Sequence, residues 1–236
     1  MKAEVFLTPA ELDPASAQGA VVVVVDVIRA TTTIVEALAN GARAIYPTAS
    51  TEEAVRLASS LGREDTLLCG ERRSVKVEGF DLGNSPTEFT RDVVDGKRLV
   101  MTTTNGTAAL SRVQEAERVV TAAFTNLGAV ADALRGHPHV VVVCAGRLGR
   151  FALDDAVCAG HLLRRLGGER VLNDGARAAW ALAGAMAPTV DTLAATEAGR
   201  AVTAHGFAAD LEICAQVDRH ALVPELTDQA LVAAGA

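Results

Sequence analysis

VVVVVDVIRATTT, residues 21–33, is the stretch of sequence on which the predicted fold depends. Five consecutive valines cannot form an amphipathic surface strand, because both faces would be apolar; they predict a strand buried on both faces of a parallel sheet. A carboxylate, an arginine and three threonines follow, where the strand should pass into a helix. Because ligands bind beyond the carboxyl ends of strands in open α/β sheets, this junction is the first candidate site.

Apolar segments alternate with helical patterns along most of the chain. Strands are predicted at 43–47, 66–69, 98–102, 118–123 and 139–144, with a short edge strand at 4–8 and a last strand or short helix after 223. Helices are predicted at 31–39, 52–61, 126–134, 153–166, 174–186, 190–206 and 207–215, with another short helix after Asn105-Gly106. This alternation predicts an α/β fold with three layers, α/β/α, around a parallel or mixed sheet.

A weak internal repeat has a spacing of 75 residues, which brings Arg43-Ala44-Ile45 onto Arg118-Val119-Val120. Duplication of βαβ units is one interpretation of this repeat. The 236 residues fit a single α/β domain, 1–236, or two closely packed halves with a boundary near 95. Residues 70–90 are polar and interrupted by glycines, and an irregular segment of this length inside a compact domain is usually functional.

Composition and charge exclude several classes of protein. Half of the residues are hydrophobic but only 3% are aromatic, so the core must consist of Val, Leu, Ala and Ile. The net charge of -7 argues against binding to nucleic acid or an anionic membrane, which requires basic patches. No apolar run approaches the ~18 residues of a membrane span, and the four cysteines lack zinc-site spacing. We therefore expect a cytoplasmic protein with reduced cysteines; a homodimer is compatible with this size, although no sequence feature shows one.

Three loops lie at predicted strand-to-helix junctions: 26–33, 102–107 and 145–155. Free N–H groups at a helix start bind anions together with neighbouring hydroxyls, and Gly106 would let the backbone approach an oxyanion. Helix capping is the alternative role for any one threonine. Because 102–107 combines four threonines with Asn-Gly after a buried strand, anion binding is the favoured interpretation.

Carboxylates follow the same strands. Asp26 comes directly after the valine run, where a carboxylate is costly unless it is paired or binds a cation; a structural pair with Arg29 is the alternative. Asp154 and Asp155 begin a helix, so they could either favour its dipole or bind Mg²⁺. Further candidates are Glu71, Asp81 and Asp210.

Five arginines lie in these polar loops: Arg29, Arg72, Arg73, Arg147 and Arg150. Their concentration in an acidic chain favours a small polyanionic ligand, because guanidinium groups match the geometry of phosphate and sulfonate. The five histidines occur singly, and we expect them to be structural or exposed.

A cysteine phosphatase is a rival interpretation. Cys144 and Arg150 have Cys-x5-Arg spacing after a predicted strand, the arrangement in which a thiolate attacks phosphorus and the arginine holds the oxygens. However, Val143 precedes the cysteine where His is usual, and Phe151 replaces a Ser or Thr. DVIRAT, residues 26–31, also lacks the second aspartate of aspartyl-phosphate enzymes.

The chain resembles the 2-phosphosulfolactate phosphatase family in five blocks: DVIRATTT, GERRSVKVEGFDLGNSPTEF, TTNGTAAL, CAGRLGRFALDDAVCAG and HGFAADLEICAQVDRHALVPEL. The resemblance extends from about residue 21 to 226. It implies a three-layer α/β/α fold and Mg²⁺-dependent hydrolysis of (2R)-O-phospho-3-sulfolactate to sulfolactate and phosphate in coenzyme M biosynthesis. Asp154 stands where Glu is more frequent in the family, which shortens the side chain but keeps the carboxylate.

The residues and the resemblance together lead to specific expectations. The expected metal ligands for Mg²⁺ are Asp26, Asp154, Asp155 and Asp210. The expected catalytic residues are Asp26, Glu71, Asp154 and Asp155, with Glu71 as a candidate base. The expected substrate-binding residues are Arg29, Thr31, Thr32, Arg72, Asn84, Ser85, Thr103, Thr104, Asn105, Gly106, Thr107 and Arg147.

Arg72 and Arg147 are assigned to the sulfonate or carboxylate of a small anionic phosphomonoester. A binding module without catalytic activity is the alternative from a different class of function.

Overall fold

The computed structural model describes residues 1–113 and 116–234 of the chain. Its strands are β1 (Lys2–Phe6), β2 (Val21–Val25), β3 (Ala44–Pro47), β4 (Thr66–Arg72), β5 (Val75–Lys76), β6 (Arg98–Thr102), β7 (Arg118–Ala122), β8 (His139–Cys144), β9 (Val171–Leu172), β10 (Pro224–Thr227) and β11 (Ala230–Ala233). Its helices are α1 (Ala30–Ala39), α2 (Thr51–Leu61), α3 (Arg91–Val94), α4 (Gly106–Arg112), α5 (Leu127–Ala133), α6 (Leu153–Leu166), α7 (Asp174–Ala185), α8 (Val190–Ala194), α9 (Glu197–Ala204) and α10 (Ala208–Cys214).

The valine run forms β2, which lies inside the sheet as predicted. It pairs in parallel with β7 on one side and with β8 on the other. The eleven strands have the order β5-β4-β6-β3-β11-β10-β7-β2-β8-β1-β9. This sheet is mixed and covered by helices, so the predicted three-layer α/β class is confirmed.

The C-terminal hairpin joins two groups of parallel strands. β11 pairs antiparallel with β3, and β10 pairs antiparallel with β7. Because β10 and β11 are also antiparallel to each other, the β4–β6–β3 group runs opposite to the β7–β2–β8 group within the sheet. In a flat sheet, the carboxyl ends of β2 and β6 would therefore point in opposite directions along the strands and lie far apart.

The two strand ends nevertheless meet, so the sheet must bend around α1 and α4. Every residue of α1 from Ala30 to Leu38 is buried, which requires packing on all its sides. The first turns of the two helices touch: a Cβ added to Gly106 would lie 2.5 Å from the Cβ of Ala30. This bend places the loops after β2 and β6 beside each other.

The core divides at β2. Val21, Val23 and Val25 belong to a cluster with residues of α5, α6 and α7. Val22 and Val24 belong to a second cluster, which includes residues of α1 and α4. Alternate residues of one strand therefore enter two separate cores, and this accounts for the unbroken apolar run.

The two copies of the sequence repeat interleave in the sheet. The first copy follows the order β2–α1–β3–α2–β4 and the second follows β6–α4–β7–α5–β8. However, β2 lies between β7 and β8, whereas β6 lies between β3 and β4. The strand order is symmetrical about the hairpin, and a cut near 95 would not separate two halves of the sheet. An evolutionary duplication and the single-domain organisation stay predictions.

Several predicted boundaries were wrong. The strand expected at the edge, 4–8, begins at Lys2 and lies between β8 and the short β9. The segment 190–206, expected to be one helix with its connection, forms two helices, because the Thr196 hydroxyl accepts a hydrogen bond from Gly199 N (2.9 Å) and starts α9. The tail forms two strands, and β4 extends to Arg72 before turning into β5.

In the described part of the chain, no helix has the length and apolarity that crossing a membrane requires.

Candidate active site

A cleft of about 250 Å³ lies where the ends of β2, β4, β6 and β8 approach helix α9. Four strand-end loops that are distant in sequence therefore contribute to one site. The expected site residues that line it are Asp26, Arg29, Glu71, Asn84, Thr104, Asn105, Arg147, Asp154 and Asp155.

Asp26 and Asp154 form the electrostatic centre of the cleft. Burial and the negative charge of Asp154 raise the pKa of Asp26 from its ordinary value of 3.8 to about 7. Burial also raises the pKa of Asp154 to about 6, against the opposing effects of backbone hydrogen bonds and of Arg147. Oδ1 of Asp154 is buried without a hydrogen-bond partner among the described residues. A bound cation would stabilise such an oxygen beside a second carboxylate.

These two carboxylates could hold a metal ion without further protein ligands. The described residues contain no group of three or more His, Cys, Asp or Glu side chains that could hold a metal ion. Mg²⁺ commonly binds one or two carboxylates and keeps several waters, so a pair is sufficient for it. Asp26 and the unpartnered Asp154 Oδ1 fit this requirement.

Both carboxylate oxygens of Asp155 accept hydrogen bonds within the protein, unlike Oδ1 of Asp154. Its Oδ1 accepts a hydrogen bond from Val27 N (2.9 Å), and its Oδ2 accepts one from Gly146 N (3.0 Å). Burial, followed by the charges of Asp154 and Asp26, raises the pKa of Asp155. Asp155 therefore joins the β2 and β8 loops and is less available to a metal than Asp154.

The hydroxyls of Thr31 and Thr32 hold the loop after β2. Thr31 Oγ1 accepts a hydrogen bond from Asp26 N (3.0 Å) and donates one to Asp26 O (2.8 Å). Thr32 Oγ1 donates to Val27 O (2.8 Å). Both threonines are fully buried, so this geometry favours positioning of Asp26 over the direct phosphate contact expected from the sequence.

Arg29 forms its ion pair with Asp210, not with Asp26. The Nη1–Oδ2 distance is 2.7 Å, and each side chain is only 2% exposed. The Arg29 guanidinium also lies over the Phe207 ring, 4.5 Å from its centroid. Ser85 Oγ donates a hydrogen bond to the second oxygen of Asp210 (2.5 Å). Since Arg29 and Ser85 occupy Asp210, the geometry does not support the expected metal-ligand role of Asp210 or the substrate contact of Ser85.

Glu71 joins the loops after β4 and β6. Its Oε1 accepts a hydrogen bond from Thr104 N (2.7 Å), and its Oε2 accepts from Ser74 N (2.7 Å) and Thr104 Oγ1 (3.1 Å). Both carboxylate oxygens are therefore engaged. This arrangement favours a positioning role over the general-base role expected from the sequence.

Thr103 and Thr107 cap the start of α4 reciprocally. Thr107 N donates to Thr103 Oγ1 (3.1 Å), and Thr103 N donates to Thr107 Oγ1 (3.0 Å). Gly106 is required here because a Cβ would lie 2.8 Å from Asp26 Oδ2. These three residues shape the loop, and Thr104 and Asn105 are the members that line the cleft.

The structure argues against the rival cysteine mechanism. Cys144 is fully buried, and burial together with the charge of Asp155 raises the pKa of its thiol well above the ordinary value. A cysteine nucleophile requires the opposite, an accessible thiol with a lowered pKa. The Arg150 backbone instead closes a turn with Arg147, through Arg147 N to Arg150 O (2.7 Å).

Some lining residues were not expected from the sequence. Ala198, Ala201 and Val202 of α9 form an apolar wall, and small apolar residues carry no chemical pattern that would reveal this. His205 lines the cleft next to them and is exposed, as expected, but it was not among the predicted site residues. Arg73, one of the five arginines of the polar loops, lines the cleft, whereas Arg72, which was expected to bind the substrate, does not.

Known proteins of one family are similar in sequence to this chain over nearly its whole length. Residues 6–229 match the family model described as 2-phosphosulpholactate phosphatase. A probable 2-phosphosulfolactate phosphatase of Gloeobacter violaceus is 42% identical over 238 residues, covering 100% of this chain and 99% of the relative. Proteins of the same description from Pseudothermotoga lettingae and Thermotoga petrophila are 39% and 41% identical, covering 93% and 87% of this chain and 95% and 88% of their own. The chain belongs to the 2-phosphosulpholactate phosphatase family, whose named activity is that of a phosphoric monoester hydrolase.

Proposed function

We propose that this chain is a Mg²⁺-dependent phosphatase that hydrolyses 2-phosphosulfolactate to 3-sulfolactate and phosphate, the reaction of coenzyme M biosynthesis. Membership of the family supports the substrate. One structural observation carries the metal dependence: the buried Asp154 Oδ1 has no hydrogen-bond partner among the described residues. It lies near Asp26, whose pKa is raised to about 7 by burial and by the charge of Asp154.

Asp26 and Asp154 would hold the Mg²⁺ in this proposal. When bound, the ion supplies charge neutralisation and Lewis acidity at the phosphate oxygens. Asp155, Thr31 and Thr32 keep the two ligands in place through their hydrogen bonds to the loop after β2. The metal-ligand and positioning roles are separated by the hydrogen bonds that each side chain already makes within the protein.

The remaining residues of the cleft would bind and orient the substrate. Arg147 lines the cleft with a partly exposed guanidinium, 3.8 Å from Glu197, and can bind an anionic substituent. Oδ1 of the buried Asn84 has no hydrogen-bond partner among the described residues, and it can accept one from the attacking water. Attack of that water forms a new P–O bond and breaks the ester P–O bond; one proton of the water passes to the departing sulfolactate oxygen, and the other stays on the released phosphate.

Phosphate release from a panel of small phosphomonoesters, with and without Mg²⁺, tests the proposal. Phosphosulfolactate should be the best substrate, ahead of phospholactate and the phosphoglycerates; chelation should abolish turnover, and added Mg²⁺ should restore it. Turnover that survives exhaustive chelation and the Asp26→Asn substitution would refute the metal role. Tight binding of sulfolactate without phosphate release from any ester would instead identify a binding module.

A further inference from the structure

The strongest unassigned feature of the cleft is the turn between β4 and β5. Arg72 pairs with Val75 across this hairpin, so Arg73 and Ser74 form a two-residue loop. Both loop residues have positive φ, 52° for Arg73 and 71° for Ser74. Two-residue hairpin loops with two positive φ values are normally built from Asn and Gly, since other residues adopt this conformation at a cost. An arginine at the first loop position is therefore a poor choice for the turn itself.

Three hydrogen bonds hold this unfavourable turn in place. Arg73 N donates to Thr104 Oγ1 (3.2 Å), and Ser74 N donates to Glu71 Oε2 (2.7 Å). From the opposite side, Arg29 Nη2 donates to Ser74 O (3.2 Å). All three partners line the cleft, as do Arg73 and Ser74 themselves. The site thus fixes the backbone of the turn, and Arg73 is an exposed residue on the wall of the cleft.

The arginines near this site differ in what they already bind. Arg29 is paired with Asp210 at 2.7 Å, and Arg72 donates to Glu71 O and Thr102 Oγ1, both at 2.8 Å. For the Arg73 guanidinium, no carboxylate within 4.0 Å and no side-chain hydrogen bond is found among the described residues. Arg147 has one distant carboxylate partner, at 3.8 Å. Arg73 is thus the guanidinium of the cleft that is most available to a ligand.

We infer that Arg73 is a specificity-determining residue that binds a non-reacting anionic group of the substrate, its carboxylate or its sulfonate. The inference rests on the proposed function and deepens it, because it moves recognition from Arg72 to the neighbouring residue. A guanidinium suits either group, since both present two coplanar or near-equivalent oxygens to its fork of N–H donors. Arg147 lines the same cleft and would serve the second group.

Arg73→Asn tests the inference without endangering the fold, because Asn tolerates positive φ better than Arg. The substrates are phosphosulfolactate, phospholactate, which lacks the sulfonate, and the phosphate ester of 2-hydroxyethanesulfonate, which lacks the carboxylate. For phosphosulfolactate, we expect KM to rise about 10- to 100-fold, the typical value of one charge-assisted interaction, with a smaller change in kcat. The penalty should disappear for whichever truncated ester lacks the group that Arg73 binds.

Two comparisons make the test specific. Arg73→Lys keeps the charge but loses the fork, so it should recover part of the affinity. Arg72→Ala should affect all three esters alike, because Arg72 bonds only to protein groups in the described structure. An equal penalty of Arg73→Asn on all three esters would overturn the inference, as would an unchanged KM. Failure of the wild-type protein to hydrolyse any ester would instead count against the proposed function.

Discussion

At the scale of single residues, the buried carboxylates of the cleft link metal binding to stability. In the metal-free protein, the pKa of Asp26 is raised to about 7 and that of Asp154 to about 6, from 3.8. A folded state with a raised carboxyl pKa binds protons more tightly than the unfolded chain. The contribution of these groups to stability is therefore fully present below about pH 4 and is lost as the pH rises to about 7.

Asp26→Asn should remove the share of this pH dependence that Asp26 contributes, while the share of Asp154 remains. One pKa unit corresponds to about 1.4 kcal/mol, so we expect the metal-free variant to be more stable than the wild type at pH 8 by about 2–4 kcal/mol. The advantage should shrink below pH 5. Urea unfolding in a chelator at both pH values measures it, and saturating Mg²⁺ should stabilise the wild type at pH 8 but not the variant. Parallel pH profiles of the two proteins would contradict the assignment of Asp26.

Cys144 should be dispensable for catalysis. Its side chain is buried and packs in the core between the sheet and α6, so Cys144→Ala should cost about 1 kcal/mol of stability through lost packing. We expect kcat/KM of the folded variant to stay within about threefold of the wild type. A tenfold loss would need a change of about 1.4 kcal/mol in the activation free energy, and a residue without a role in the reaction should cause less than that. A loss of several orders of magnitude would revive the cysteine mechanism.

At the scale of elements, the Arg29–Asp210 pair docks α10 against the loop after β2. Removing one partner of a buried ion pair typically costs 3–5 kcal/mol, because the other charge remains buried. Asp210→Asn should therefore destabilise the protein by roughly 3 kcal/mol in urea unfolding. The exposed pair Arg135–Asp132 provides the control, for which Asp132→Asn should cost less than about 1 kcal/mol.

The same variant separates an Asp210 ion pair from an Asp210 metal ligand. If Asp210 serves Arg29, then Arg29→Met combined with Asp210→Leu should regain most of the lost stability, because apolar groups can replace a buried pair. Calorimetric Mg²⁺ affinity of folded Asp210→Asn should remain near that of the wild type. A large loss of Mg²⁺ affinity would restore Asp210 to the metal site.

The elements also show how far sequence could predict this protein. The alternation of strands and helices from β2 to α6 was predictable, because buried strands and helix caps leave local patterns in the sequence. The hydrogen-bond partners of the polar side chains were not predictable, because tertiary contacts decide them. Such contacts engage the carboxylates of Glu71 and Asp155 and leave Asn84 Oδ1 without a partner among the described residues. Arg73 lines the cleft instead of Arg72 because of where β4 ends and the turn begins. The sequence cannot predict a strand boundary to one residue.

At the scale of the whole molecule, the sheet order was beyond sequence reasoning. The pairing of β2 with β7 and β8 depends on contacts across about half of the chain, which no local pattern encodes. The central position of the last two strands was unpredictable for the same reason. This hairpin nevertheless joins the two groups of strands that run in opposite directions. Leu231 of the hairpin is fully buried and pairs with Ile45.

Truncation after Leu222 should therefore abolish the native fold rather than merely shorten the chain. Without β10 and β11, the strands β3 and β7 would present unpaired inner edges, and such edges aggregate. We expect insoluble protein or a loss of cooperative thermal unfolding by circular dichroism. The hairpin turn offers the matched control: Asp228 and Gln229 have positive φ, 50° and 66°, so replacing them with Asn-Gly should stabilise the full chain by about 1 kcal/mol. A truncated chain that unfolds cooperatively near the wild-type temperature would show that the two groups of strands pack together without the hairpin of β10 and β11.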